Sequence, residues 1–292
     1  MLFASYANVL ELLIDILDDQ INRLDKLSSL RELEAVSALR YGVHMKISII
    51  TAVYKSAETV GQAIASVAGQ SHRDIEHLII EGASGDNTLA AVEAVAHDRM
   101  VVTSETDKGI YDALNKGIRQ ATGDVVGLVH ADDYLAHKDV LADIAVAFDD
   151  PQVEAVYGDL DYISKVDPDR VIRHWMSGSY HAGRLAQGWM PPHPTLYLRR
   201  SVFDRIGVYD TRYRIAADYD FVLRYFSETR AEPVYLPQVL VKMRVGGESN
   251  RSLGRVIRKS REDYAALRQN QVGGIGTLLR KNASKLGQFM VK

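Results

Sequence analysis

Between residues 45 and 135 the chain switches repeatedly between two hydrophobic patterns. "KISIITAVY", "IEHLIIEGAS", "MVVTSET" and "VVGLVHADD" are short, nearly continuous apolar runs. Between them "AETVGQAIASVAGQ", "DNTLAAVEAVAH" and "IYDALNKGIRQAT" repeat apolar residues at helical spacing. The first pattern predicts strands buried on both faces and the second predicts helices with one apolar side. Their alternation predicts an α/β fold, with a mostly parallel central sheet covered by helices.

The same patterns divide the chain. Leu10, Ile14, Leu17, Ile21 and Leu24 step by four and three inside a predicted helix over 7–40. Two heptads of this spacing suit a homodimer contact, and they suit equally a helix packed on its own domain. Met45 directly precedes the first strand. Residues 1–44 are thus an N-terminal helical extension, 45–250 the α/β domain, and 251–292 a pair of C-terminal helices broken at "GGIG". In the second of these, Ile275, Leu278, Leu279, Leu286, Phe289 and Met290 fall near one face, with Arg280, Lys281 and Lys285 as polar partners.

Parallel sheets bind ligands beyond the carboxyl ends of their strands. Those ends carry Thr51-Ala52-Val53-Tyr54, then Glu81-Gly82-Ala83-Ser84, then Glu105-Thr106-Asp107, then His130-Ala131-Asp132-Asp133. Capping explains some of these acids: Asp86 reads as a helix cap, and Asp133 has the alternative of capping the helix in "KDVLADIAVAF". Three successive strands ending in acids point to a shared ligand site. The neighbouring carboxylates of Asp132 and Asp133 repel each other, so a positive partner is expected, and a divalent cation is the candidate.

Composition narrows that candidate. The 292 residues are 47 % apolar and 25 % charged, ordinary for a globular protein, and include no cysteine. Any metal must be held by oxygen or imidazole. The net charge of −3 is unevenly spread. Residues 251–292 hold ten Lys/Arg against two acids, which suits an anionic membrane surface as well as a solvated helix. No nucleic-acid motif accompanies the charge, so no nucleic-acid partner is expected. With no apolar run of spanning length and a leader lacking a basic start, the expected location is cytoplasmic, peripheral at the inner face of the membrane.

Taken in order, "SIITAVYKSAETVGQAIASVAGQS", "IEHLIIEGASGDNT", "SETDKGIYDALNKGIRQATGD", "GLVHADD", "HPTLYLRRSVFDRIGVYD" and "AADYDFVLR" resemble a family 2 glycosyltransferase of the GT-A fold, in the branch that builds bacterial surface polysaccharides. The resemblance implies a nucleotide-sugar donor and assigns roles. Thr51, Ala52, Val53 and Tyr54 resemble the loop that holds the nucleotide through backbone contacts. Glu81 stands at the family aspartate that meets the base or ribose, and Asp107 resembles the next nucleotide-side acid. Asp132 and Asp133 match the acidic motif that holds Mg²⁺ or Mn²⁺ against the donor diphosphate. Asp218 matches the acid at a helix start that deprotonates the acceptor, with Asp220 as the alternative. His193, between prolines, resembles an acceptor- or diphosphate-side residue. His130 stands where the family commonly has Asn or Asp, and Ala83 where it has Gly. "GGES" at 246–249 resembles a loop that closes over the donor.

The function implied is inverting, metal-dependent transfer of one sugar, from a donor of UDP type, to a glycan or lipid-linked acceptor. The Gln-x-x-Arg-Trp motif of processive members is absent, which favours single addition. A glycoside hydrolase would also use paired carboxylates, without a metal or a nucleotide. A non-catalytic nucleotide-sugar-binding protein is a third reading. A nucleotidyltransferase would need a glycine-rich, basic first loop, which is missing here.

Overall fold

The computed structural model describes residues 45–181, 183–229, 231–245 and 253–287. The predicted helix over 7–40, its dimer contact and the "GGES" segment lie outside the described residues.

The expected strands and helices form in order. β1 (Ile47–Val53), β2 (Ile75–Glu81), β3 (Met100–Ser104) and β4 (Val125–Leu128) alternate with α1 (Val60–Ala68), α2 (Thr88–Glu93) and α3 (Ile110–Gln120). They lie in the order β3-β2-β1-β4 and all pair in parallel. The chain continues through β5 (Asp133–Leu135), α4 (Val140–Ala147), β6 (Ala155–Ile163) and β7 (Val171–Trp175). β8 (Tyr197–Arg199), α5 (Arg200–Ile206), α6 (Ala217–Glu228) and β9 (Val234–Arg244) follow. The sheet runs on through β8, β6, β9 and β5, with β6 and β9 parallel and β8, β7 and β5 antiparallel to their neighbours.

β1 shows why its run is apolar throughout. Ile47 and Ile49 enter one core cluster with Val67, Leu141 and Phe148, while Ile50 and Ala52 enter another with Leu114, Tyr157 and Phe221. Each face of the strand is covered, as a buried parallel strand requires. Gly127 on β4 has no side chain because the Tyr197 ring lies where a Cβ would be. Under β1, buried Thr51 shares a 3.0 Å hydrogen bond with His77 on β2, and His77 meets His97 at 3.2 Å.

The C-terminal segment forms α7 (Leu253–Gln269) and α8 (Ile275–Gly287). These helices are packed on the α/β body. Ala266 and Leu267 are fully buried in the cluster that holds Phe221 and Tyr225, and Val272 and Leu278 lie against it. The single apolar stripe expected on α8 divides accordingly: Leu278 turns inward, while Ile275 and Leu279 stay 69 % and 64 % exposed. Lys281, expected on the polar face, is 1 % exposed. It is stabilised there because its ammonium lies 2.9 Å from Asp263 and 3.1 Å from the centroid of the Tyr219 ring. Among the described residues no helix is long and apolar enough to cross a membrane.

Candidate active site

The four parallel strands end at one rim. β1 leaves its last buried residues, Ala52 and Val53, inside the core, and Tyr54 emerges 57 % exposed. The side chain of Thr51 is spent on His77, so only Tyr54 of these four presents a side chain to solvent.

At the end of β2, Glu81 is 1 % exposed. Its carboxylate accepts the N–H groups of Ala83 (3.0 Å) and Ser84 (2.8 Å) and the hydroxyl of Ser104 (2.6 Å). Burial pushes its pKa up, but these donors outweigh it and hold Glu81 below the ordinary value. Glu81, expected to meet the base or ribose, is thus anchored at the strand end by these three donors. Its oxygens are committed to the turn after β2, where Ala83 sits at φ 52°, a left-handed conformation that costs a residue with a Cβ. Asp107 stands beside the turn: its Oδ1 accepts the Gly109 N–H at 2.8 Å. Gly82 matters here, since a Cβ on it would come within 2.5 Å of Asp107 Oδ2 and 3.1 Å of the Tyr54 ring.

β4 stops at Leu128, short of the doublet, and Asp133 instead opens β5 against Met243 of β9. Asp133 therefore caps no helix. Asp132 is half-buried, whereas Asp133 is 1 % exposed. Asp133 Oδ1 accepts the Arg244 N–H at 3.2 Å, while its Oδ2 is buried without a hydrogen-bond partner. Burial, then the charge of Asp132, pushes the Asp133 carboxyl well above the ordinary range, against the opposing pull of Arg244. The positive partner expected for the doublet is met in part by Arg244, whose guanidinium donates to the Asp132 carbonyl and to Gln62. Among the described residues no cluster of three or more His, Asp or Glu gathers to hold a metal. The donor set still fits Mg²⁺ or Mn²⁺, which one or two carboxylates hold with positions left for phosphate and water, and the orphaned Asp133 oxygen marks an unmet demand for positive charge.

Across the rim stands the second acid. Asp218 lies in the first turn of α6, where the helix dipole favours a carboxylate. His193, in a turn beginning at Pro192, approaches Asp218 Oδ2 with its Nδ1 at 3.4 Å, and its Nε2 lies 2.8 Å from His130 Nε2. The Tyr111 hydroxyl reaches Asp218 Oδ1 at 3.0 Å. Burial raises the Asp218 pKa, but His193, Lys259, Lys281 and Tyr111 together bring it below the ordinary value. Burial lowers the His193 pKa despite the carboxylate beside it, and takes His130, next to His193, down to about 3. Both imidazoles are thus neutral near pH 7. An ionised Asp218 then accepts from His193 Nδ1–H, and His193 Nε2 accepts from His130.

Asp220 does not share this position. It is fully buried, paired with Arg224 at 2.9 Å, and bonded to the Asn270 amide at 2.9 Å. It belongs to the core, which leaves Asp218 the more accessible of the two acids expected as the base. Sequence reasoning missed Tyr111, Arg244 and the lysines behind Asp218. Tyr111 stood inside a quoted motif; the others carry no local signal, because their partners come from distant parts of the chain.

The chain resembles several known proteins, some in sequence and others in fold. The chain is 32 % identical over 208 residues to the PGL/p-HBAD biosynthesis glycosyltransferase of Mycobacterium bovis, covering 70 % of this chain and 78 % of that one. It is 30 % identical to an uncharacterized glycosyltransferase of Mycobacterium tuberculosis, covering 69 % and 76 %. Among solved structures, S. aureus TarS 1-349 in complex with UDP-GlcNAc superposes with a TM-score of 0.60 at 19 % identity, over 78 % of this chain and 66 % of that one. The mannosyltransferase PcManGT from Pyrobaculum calidifontis, in complex with GDP-Man and Mn²⁺, gives 0.60 at 19 %, over 85 % and 72 %. These two likenesses establish the fold. Residues 48–215 match the sequence profile of glycosyl transferase family 2, and with more than half of its length inside that match the chain belongs to this family.

Proposed function

We propose that this glycosyltransferase transfers a single sugar, with inversion, from a nucleotide-sugar of UDP type to a glycan or lipid-linked acceptor in cell-surface polysaccharide synthesis. Family membership removes the hydrolase and binding-protein readings. The observation that carries the mechanism is the ionised, half-buried Asp218 held against neutral His193 on the same rim as the Asp132–Asp133 doublet. Support for a metal-assisted donor site comes from PcManGT, solved with GDP-Man and Mn²⁺, and for a UDP donor from TarS, solved with UDP-GlcNAc.

In this reading Tyr54 and Asp107 line the nucleotide side, and Glu81 shapes the turn between them. Asp132 is the direct metal ligand, being the accessible member of the doublet, with buried Asp133 behind it. Mg²⁺ or Mn²⁺, when bound, supplies positive charge to the departing diphosphate. Asp218 takes the proton from the acceptor hydroxyl as its oxygen bonds to the anomeric carbon and the bond from that carbon to phosphate breaks. His193 keeps the carboxylate aimed, and neutral imidazoles avoid tying it up in a strong ion pair. The protein is read as cytoplasmic, touching the anionic inner leaflet through exposed Ile275 and Leu279 on α8 and the arginines of α7.

The test is thermal unfolding with UDP and Mn²⁺, alone and together. Ligands at 100 times their Kd add about 2.7 kcal/mol of stability. The wild-type protein is expected to gain stability from the pair, whereas Asp132→Asn gains nothing from Mn²⁺ and loses transfer while staying folded. An undiminished Mn²⁺ gain in that variant refutes the ligand assignment.

A further inference from the structure

Asp218 opens α6, yet the group that fixes where α6 begins stands on α7. Glu262 Oε2 accepts the backbone N–H groups of Ile215 (2.8 Å) and Ala216 (3.1 Å), immediately before the helix. From the other side the Tyr111 hydroxyl lies 2.8 Å from the Ile215 carbonyl and 3.0 Å from Asp218 Oδ1. No side chain at the α6 N-cap position makes a capping bond. The start of α6 therefore borrows its acceptor from a helix 46 residues further along. The same C-terminal segment holds the next residues: Asn270, just after α7, bonds Asp220, and Lys281 on α8 lies over Tyr219.

We propose that Glu262 is a positioning residue, which by gripping the Ile215–Ala216 peptide sets the start of α6 and so the place of the Asp218 carboxylate against His193. Its catalytic meaning rests on the reading of Asp218 as the base; its geometric meaning does not. Successive helical residues are rotated by about 100°, so a slip in the first turn swings Asp218 away from His193. Because a single oxygen receives both N–H groups, a glutamine amide oxygen can take its place and alanine cannot.

Selective ¹⁵N labelling of histidine in the full chain, with His193→Asn for assignment, reads the geometry directly. Glu262→Ala is expected to move the His193 ring signals toward those of Asp218→Asn, and Glu262→Gln to leave them at the wild-type position. Release of nucleoside diphosphate from a panel of UDP- and GDP-sugars with Mn²⁺, water serving as acceptor, reads the consequence. There kcat should fall about 10²-fold in Glu262→Ala with KM changed less than about twofold, recover in Glu262→Gln, and fall no further when Glu262→Ala is added to Asp218→Asn. Wild-type His193 signals in folded Glu262→Ala, or an equal added loss in the Asp218→Asn background, overturn the positioning role. Wild-type turnover by Asp218→Asn alone would instead unseat the base, leaving the ring signals to judge the clamp. Glu262→Asp, which retracts the oxygen by one methylene, serves the same comparison if the alanine variant does not fold.

Discussion

Asp218 is surrounded by groups that favour its ionised form. His193 on the turn after Pro192, Tyr111 on α3, Lys259 on α7 and Lys281 on α8 together offset the cost of its burial. In the proposed role of base, a carboxylate held below the ordinary range is ready at neutral pH, and activity should be lost only as pH falls through the lowered value. Removing one positive charge moves that loss upward. Lys259 is the clean choice, because Asp263 keeps Lys281 as its partner when Lys259 is gone. In Lys259→Met the acidic limb of the kcat/KM profile should therefore shift to higher pH with the plateau little changed, and an unmoved limb would argue against Asp218 as the titrating base. Much of this site is legible in the sequence, because its acids sit at strand ends or inside short motifs. The Asp220–Arg224 pair is equally legible from its i,i+4 spacing. Glu81 is only half legible: motif position marks it for the donor, but its three hydrogen bonds to the turn after β2 and to Ser104 come from partners that spacing does not reveal.

At the scale of elements, periodicity identifies β1 to β4 and the helices between them, since a strand covered on both faces and a helix covered on one leave different patterns. It fails on β4 and β5, because one apolar run ending in acids hides a break at Leu128 and a new strand beginning at Asp133. It fails also on α8, where helical spacing cannot tell a stripe facing lipid from one facing the protein. Packing divides that stripe and leaves Ile275 and Leu279 outside, one turn apart, with Val256 and Ile257 exposed on α7. If this face meets an anionic leaflet, Ile275→Glu with Leu279→Glu should abolish co-sedimentation with phosphatidylserine-containing vesicles and leave the melting temperature within a few degrees of wild type, as surface substitutions usually do within about ±0.5 kcal/mol. Unchanged sedimentation would leave the two residues as ordinary surface.

For the molecule as a whole, the C-terminal helices are not a detachable tail. Ala266 and Leu267 sit in the core with the aromatic residues of α6, and α7 with Asn270 just after it supplies partners to Tyr213, Ile215, Ala216 and Asp220. Cutting the chain before Leu253 would expose that apolar face and strip the start of α6 of its acceptor. The truncated protein should be insoluble or unfold without cooperativity, measured as soluble yield and circular-dichroism melting. Leu267→Ala alone should cost about 2–5 kcal/mol in urea unfolding, the usual range for a buried leucine.

The hydrogen-bonded pair beneath β1 has a consequence of a different kind. His77, bonded to Thr51, has its pKa lowered to about 3 by burial and by the nearby charges of His97 and Arg99, against 6.5 for a free imidazole. The folded protein keeps this ring neutral while the unfolded chain takes up a proton below pH 6.5, so the stability it supports is whole above that value. As pH falls from 6.5 toward 3, about 1.4 kcal/mol is lost for each unit. Urea midpoints should therefore drop markedly between pH 7 and pH 5, and less so in the double variant Thr51→Val with His77→Leu, which removes the titrating ring together with its partner's hydroxyl. Mild acid thus draws down the stability of the whole fold through a ring that itself stays neutral in the folded protein, well before it reaches the lowered carboxyl of Asp218.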